Sequence, residues 1–191
     1  MDSKGVFINC PFDDEYLSLL RVILFETLYF RFTPKIASED ANCDRLRLKK
    51  IDDLILESKY SIHDLSRMKV KREEENKIIG EDIYFRLNMS FELGIDHGYR
   101  LRNDICRKDN KSLILEAEKY SSQKAISDIA GFDVKAHKND PEELVRILRD
   151  WYISIDEDIY KDKNRLNMRS PKNIWVDFNF FYSDFYDRKR S

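Results

Sequence analysis

The chain reads as an α/β domain built on a five-stranded parallel sheet of order 2-1-3-4-5. Two observations predict it: short apolar runs alternate with segments of helical periodicity over residues 1–155, and the unusual polar residues cluster where the first and third runs end. Strands that alternate with helices form parallel βαβ units, with helices on both faces of the sheet.

The first run, GVFINC (5–10), ends at Pro11, which cannot donate to a central ladder. From Asp13 onward Tyr16, Leu19, Leu20, Ile23, Leu24, Thr27 and Leu28 recur at helical spacing, with Asp13 and Asp14 at the positive end of the helix dipole. Residues 32–37 are a second strand. Leu48, Ile51, Leu54 and Ile55 mark a helix stopping near Ser58, and KYSIHDL (59–65) is the third strand. The charged stretch 68–82 has no sustained period and reads as a mobile loop or lid.

A third helix begins near Arg86, and its predicted buried face carries Leu87, Ser90, Phe91, Gly94, Ile95 and Gly98, the glycines allowing close approach to the sheet. Residues 112–117 are a fourth strand, 121–130 a helix and 133–137 a fifth strand. Pro141 after Asp140 starts a helix whose stripe is Leu144, Leu148, Trp151 and Ile155. The expected whole is a flavodoxin-like three-layer sandwich over 1–155. A C-terminal extension, 156–191, carries Phe178, Phe181, Tyr182 and Phe185 at helical spacing, to be packed on the domain or placed at a dimer interface.

Composition narrows the function classes. The 34 basic and 36 acidic side chains leave a net charge of −2, so a nucleic-acid partner is not expected. Cys10, Cys43 and Cys106 are too few and too far apart for a disulfide framework or a CxxC motif. The opening residues, MDSKGVFINC, lack a secretory apolar segment, and no apolar run spans a bilayer, so a cytoplasmic protein without membrane association is the expectation.

In an open sheet of this order, ligands bind outside the carboxyl ends of strands one and three. That places Asn9, Cys10, Pro11, Phe12, Asp64, Ser66 and Arg67 at the crevice. No GxGxxG, GxxxxGK[ST] or HExxH is present, and His63, His97 and His137 lack ligand spacing, so no metal or tightly held cofactor is expected. Cys10 with His63 is one conceivable nucleophile and base. Glu92, in the second turn of the third helix, reaches the crevice opposite Asp64, and two carboxylates facing one pocket suit glycosidic chemistry. A solvated glutamate paired with a cation is the plain alternative.

The segments VFINCPFDDEY, SKYSIHDLSR, FRLNMSFELGIDHG and SSQKAISDIAGFDVKAH resemble, over residues 5–151, a widespread group of bacterial proteins. That group is similar to the superfamily of TIR domains and nucleoside 2-deoxyribosyltransferases. The resemblance implies a nucleotide-binding loop at Asn9 to Phe12, an acidic contact to base or sugar at Asp64 and a catalytic Glu92. The chain has LNMSFELG in place of the deoxyribosyltransferases' glycine-rich stretch, and lacks the TIR serine and tryptophan-cysteine signature.

The resulting expectation is an N-glycosidase that cleaves or rearranges NAD or a related nucleotide as substrate, with a role in bacterial defence implied by resemblance. Arg45, Arg67 and Arg86 are candidates to hold a pyrophosphate, and Asn88 flanks Glu92 on the ligand side. The other readings are a non-catalytic nucleotide-sensing or protein-interaction module, able to form a homodimer or larger assembly, and a nucleoside deoxyribosyltransferase or nucleosidase.

Overall fold

A computed structural model of the chain describes residues 2–37, 47–67, 72–74, 77–80, 87–102, 111–124, 126–155 and 169–190. Two compact units result, one formed by 1–11 with 33–136 and the other by 12–32 with 137–191.

The first unit holds the sheet. Strands β1 (Asp2–Asn9), β2 (Thr33–Ile36), β3 (Ser58–Asp64), β6 (Ser112–Glu116) and β7 (Val134–Ala136) pair throughout in parallel, in the spatial order β2-β1-β3-β6-β7. Counted along the sheet, this is the 2-1-3-4-5 order expected from the sequence. Both alternating sets of the central strands are buried, Val6, Ile8, Ile62 and Leu115 on one face and Phe7, His63 and Ile114 on the other. Gly5 sits where the β1–β3 register shifts, and a Cβ there would press on the Glu57 carbonyl at 3.3 Å.

Helices α2 (Arg47–Glu57) and α3 (Asn88–Arg102) belong to the same unit. Ile51 and Ile55 of α2 pack on Phe7, joined by Ile95 and Tyr99 of α3. Met89 and Leu93 of α3 pack with Leu65, Ile114 and Ile129. These two clusters fix both helices against the face that carries Phe7 and His63.

Three local expectations need correction. Within 68–82, read from sequence as a loop or lid without sustained period, the described residues form two antiparallel strands, β4 (Arg72–Glu74) and β5 (Lys77–Gly80). Residues 121–130 fold into two short 3₁₀ turns, Ser122–Lys124 and Ser127–Gly131, not an α-helix. The cause is Glu116, whose buried carboxylate at the end of β6 accepts from the Ser122 amide at 3.0 Å and the Ser122 hydroxyl at 2.7 Å, with the Tyr120 amide and Ser121 hydroxyl completing the set. A loop wrapped around one carboxylate cannot also run straight as a helix.

The third correction concerns α3. Its buried residues are Met89, Glu92, Leu93, Asp96 and Arg100, whereas Leu87 and Phe91 are exposed and Gly94 and Gly98 have open space where a Cβ would stand. At about 100° per residue, the buried face lies roughly half a turn from the predicted one. The sheet beneath α3 is polar at Asn9, Ser61, His63 and Ser112, and it selects the polar stripe of the helix.

The second unit is helical: α1 (Leu17–Tyr29), α4 (Pro141–Ile155) and α5 (Pro171–Arg190). The turn before α1 is closed by the Asp13 carboxylate, which accepts from the Tyr16 amide at 2.9 Å, so Asp13 and Asp14 precede the helix instead of lying in its first turn. Asp140 caps α4 by accepting from the Glu142 amide at 2.9 Å, with Pro141 at the first helical position as predicted. Tyr152, fully buried, stacks on Phe30 and its hydroxyl lies 2.6 Å from Thr27 Oγ1. Along α1, Val22 and Glu26 are buried and Leu28 is exposed.

The C-terminal aromatics pack back on this unit. Phe178 is buried and meets Phe25 edge-on, Phe181 also touches Phe25, and Tyr182 accepts a hydrogen bond from Arg21. The side chain of Phe185 lies outside the described residues. No helix among the described residues is long and apolar enough to cross a membrane.

Candidate functional site

The direction of α3 follows from two hydrogen bonds. In its first turn the Met89 carbonyl accepts from Asn9 Nδ2 at 3.0 Å, at the carboxyl end of β1. In its last turn Arg100 Nη1 donates to the Lys59 carbonyl at 2.7 Å, near the start of β3. The helix therefore runs back antiparallel to the strands, and Glu92 falls in the half nearer their carboxyl ends. This is the edge at which an open parallel sheet binds ligands.

Glu92 is buried, and its Oε1 stands 3.6 Å from Nη2 of Arg47, whose side chain is about half exposed. Burial pushes its carboxyl above the ordinary glutamate range, and the Arg47 guanidinium acts against that rise. A carboxylate that is desolvated yet held by one cation is both basic and available as a negative charge. Arg47 is the residue that sequence reasoning missed, having placed a cation at Arg45, which lies outside the described residues.

Between α3 and the strands β1 and β3 runs a buried polar chain. Asn9 Nδ2 donates to Nδ1 of His63 at 3.1 Å as well as to Met89. Because Met89 offers only a carbonyl, the amide nitrogen must face it, so His63 Nδ1 receives a hydrogen and carries none. His63 Nε2 then holds the ring proton and donates to Asp96 Oδ2 at 3.0 Å. Ser61 donates to the same oxygen at 2.7 Å, while Arg100 Nε donates to Asp96 Oδ1 at 2.7 Å. Burial alone would raise the Asp96 carboxyl, but the His63 hydrogen bond and the Arg100 guanidinium outweigh it and hold the group well below the usual carboxylate range.

The other sequence-predicted residues distribute as follows. Asn9, Cys10 and Pro11 are buried at the end of β1, and Phe12 is half exposed. Asp64 is fully buried at the end of β3, where one carboxylate oxygen accepts from the Ser66 amide at 2.8 Å and from the Ser66 hydroxyl. Asp64 and Ser66 thus close the turn that follows β3. Arg67 is partly buried, Asn88 is exposed at the start of α3, and Arg86 lies outside the described residues.

The pairing of Cys10 with His63 is corrected: both ring nitrogens of His63 are engaged, by Asn9 and Asp96. Asp96 and Arg100 were also missed. Their i, i+4 spacing, in register with Glu92, was the available signal. Among the described residues no group of three or more His, Cys, Asp or Glu is arranged to hold a metal ion. No family model, curated protein or solved structure matches the chain.

Proposed function

We propose that the chain is an N-glycosidase of TIR-like type that acts on NAD or a related nucleotide in a reducing cytoplasm, with Glu92 as the catalytic carboxylate. The observation that carries this reading is the buried Glu92 carboxylate at the carboxyl edge of the sheet, held 3.6 Å from Arg47. In NAD the bond from the ribose anomeric carbon to the nicotinamide nitrogen breaks with its electron pair leaving on nitrogen, which neutralises the ring. Positive charge develops at the sugar carbon, and a fixed carboxylate in a desolvated setting stabilises it. Water or a hydroxyl of the same nucleotide then forms the new bond to that carbon and gives up its proton to Glu92 or solvent.

Asn9 has spent both amide hydrogens on His63 and Met89, so it is its Oδ1 that remains to accept from a ligand. Arg47 sits beside the reacting carboxylate and is positioned to meet the anionic part of a nucleotide. The same ion pair favours a second reading, a nucleotide-sensing module, in which Glu92 is committed to Arg47 and a ligand's anion displaces it.

Chromatography of NAD and a panel of nucleosides and nucleotides, incubated with wild type and with Glu92→Gln, separates the readings. Nicotinamide or free base released by wild type alone supports the glycosidase. Base exchange between nucleosides supports a deoxyribosyltransferase. Saturable binding by both proteins without turnover supports the sensing module.

A further inference from the structure

We propose that the outer face of α3 is a self-association surface, on which a second copy of this chain packs its own α3 antiparallel about a two-fold axis at the level of residue 96. The helix is built inside out. The stripe it buries carries Glu92, Asp96 and Arg100, whereas its outermost stripe is Leu87, Phe91, Gly94, Gly98 and Leu101. Leu87 continues the same turn, its carbonyl accepting from the Phe91 amide at 2.8 Å. At about 100° per residue these five positions fall within about 80° of one another. None is charged, in a chain of which 37% of residues are. Leu87 is 55% exposed, Phe91 57% and Leu101 44%, where an ordinary surface helix is polar. Glycine also weakens a helix. Neither Gly94 nor Gly98 has a positive φ, and neither has a described neighbour within 4 Å of where its Cβ would stand. Nothing in the backbone or in the described packing of one chain therefore requires glycine at either position.

The stripe matches itself, which is what selects a second copy as the occupant. A two-fold contact places one patch on its own image, so the patch must be self-complementary. Gly94 and Gly98 lie equally far on either side of residue 96, and so do Phe91 and Leu101. An antiparallel pair centred there sets Gly94 against Gly98 of the second copy and Phe91 against its Leu101. The backbones then meet where side chains are absent, and the large apolar groups fill the space at both ends. A foreign helix would not require this symmetry. With no charge on the seam, two identical faces also meet without like-charge repulsion. The exposed parts of Leu87, Phe91 and Leu101 amount to about 300 Å² a side, taking ~200 Å² for each such side chain. Phe132, edge-on to His97 with ring centroids 4.9 Å apart and also partly exposed, extends the apolar surface along one flank. A patch of this size forms the core of a small dimer interface and sets its affinity in the micromolar range. The inference stands whether or not Glu92 is catalytic, since Glu92 belongs to the buried stripe.

Sedimentation velocity of the full chain from about 1 μM to about 500 μM is expected to show a monomer–dimer equilibrium within that range. Phe91→Glu and Leu101→Lys change exposed positions of the monomer, and each is expected to weaken association about tenfold or more, with circular dichroism and melting unchanged. An equimolar mixture of the two variants is expected to recover association to within about threefold of wild type. The antiparallel register sets the introduced acid against the introduced base at one end and keeps Leu101 against Phe91 at the other. Gly94→Leu supplies a variant that the monomer accepts, because open space surrounds that position. It should hold or raise the melting temperature of the dilute protein while lowering association about tenfold, by pushing the two helices apart. A wild type that stays monomeric throughout overturns the proposal. So does a dimer that Phe91→Glu, Leu101→Lys and Gly94→Leu all leave intact, which would be held by another surface. Failure of the mixture to recover association overturns the antiparallel pairing.

Discussion

His63 and Asp96 meet at 3.0 Å with both side chains sealed from solvent, one from the middle strand of the sheet and one from the middle of α3. Asp96 accepts from two elements of the same unit: Ser61 and His63 of β3, and Arg100 of its own helix. Removing its charge leaves Arg100 buried without its counter-ion. Asp96→Asn is expected to cost about 3–5 kcal/mol, the usual loss when one partner of a buried pair is removed, measured by urea denaturation at pH 7.

The same carboxylate makes stability depend on acid. Its folded value is depressed below the ordinary 3.8, so its contribution is complete above about pH 4 and is lost as the pH falls through the folded value. Urea midpoints measured from pH 7 down to pH 2 should decline more steeply in wild type than in Asp96→Asn.

Arg47 should act on Glu92 in one direction only. Arg47→Ala removes a cation that favours the charged carboxylate, so the Glu92 titration, followed by carbon-13 NMR with Glu92→Gln as the assignment control, is expected to move up. An unmoved titration would mean that the 3.6 Å pair is not maintained in solution.

Glu26 in the helical unit offers the opposite sign. Both its carboxylate oxygens are buried with no hydrogen-bond partner among the described residues, and burial raises the group well above 4.5 against the pull of Arg149. The folded chain keeps its proton to higher pH than the unfolded chain, so this group's contribution falls as pH rises above about 4.5. Glu26→Met is expected to stabilise the chain at pH 7 by about 1–3 kcal/mol, the order of the penalty for an unpaired buried polar group, and by less at pH 4. Thermal melts at the two pH values check this.

Tyr152 tests how the helical unit is held. Thr27 Oγ1 donates to the Ile23 carbonyl at 2.6 Å, so the Tyr152 hydroxyl is the donor in its own bond to Thr27. Tyr152→Phe removes that bond and keeps the ring stacked on Phe30, for a cost of about 0.5–1.5 kcal/mol. Tyr152→Ala also removes the ring, for about 3–5 kcal/mol. The two denaturation midpoints should differ accordingly.

The sheet was legible because its strands are short, apolar and evenly interrupted, as at GVFINC and KYSIHDL. The orientation of α3 was not. Periodicity assigns apolar residues to the inside, and here the sheet surface under the helix carries Ser61, His63 and Ser112, which select Asp96 and Arg100 over Phe91 and the glycines. The end of β6 was misread for a related reason: SSQKAISDI has helical composition, but Glu116 gathers its amides first. Glu92 was found by position on the helix, whereas Arg47, its cation, comes from a distant segment and only the folded chain brings the two together.

Helix α3 is fastened at both ends, by Asn9 to Met89 and by Arg100 to Lys59, and once more in the middle through Asp96. A rod pinned at three points cannot slide along its length or swing about one anchor without releasing the others together. Travel at Glu92 is thereby limited to rotation about its own side-chain bonds, so the carboxylate can turn toward or away from Arg47 while the backbone that bears it stays still.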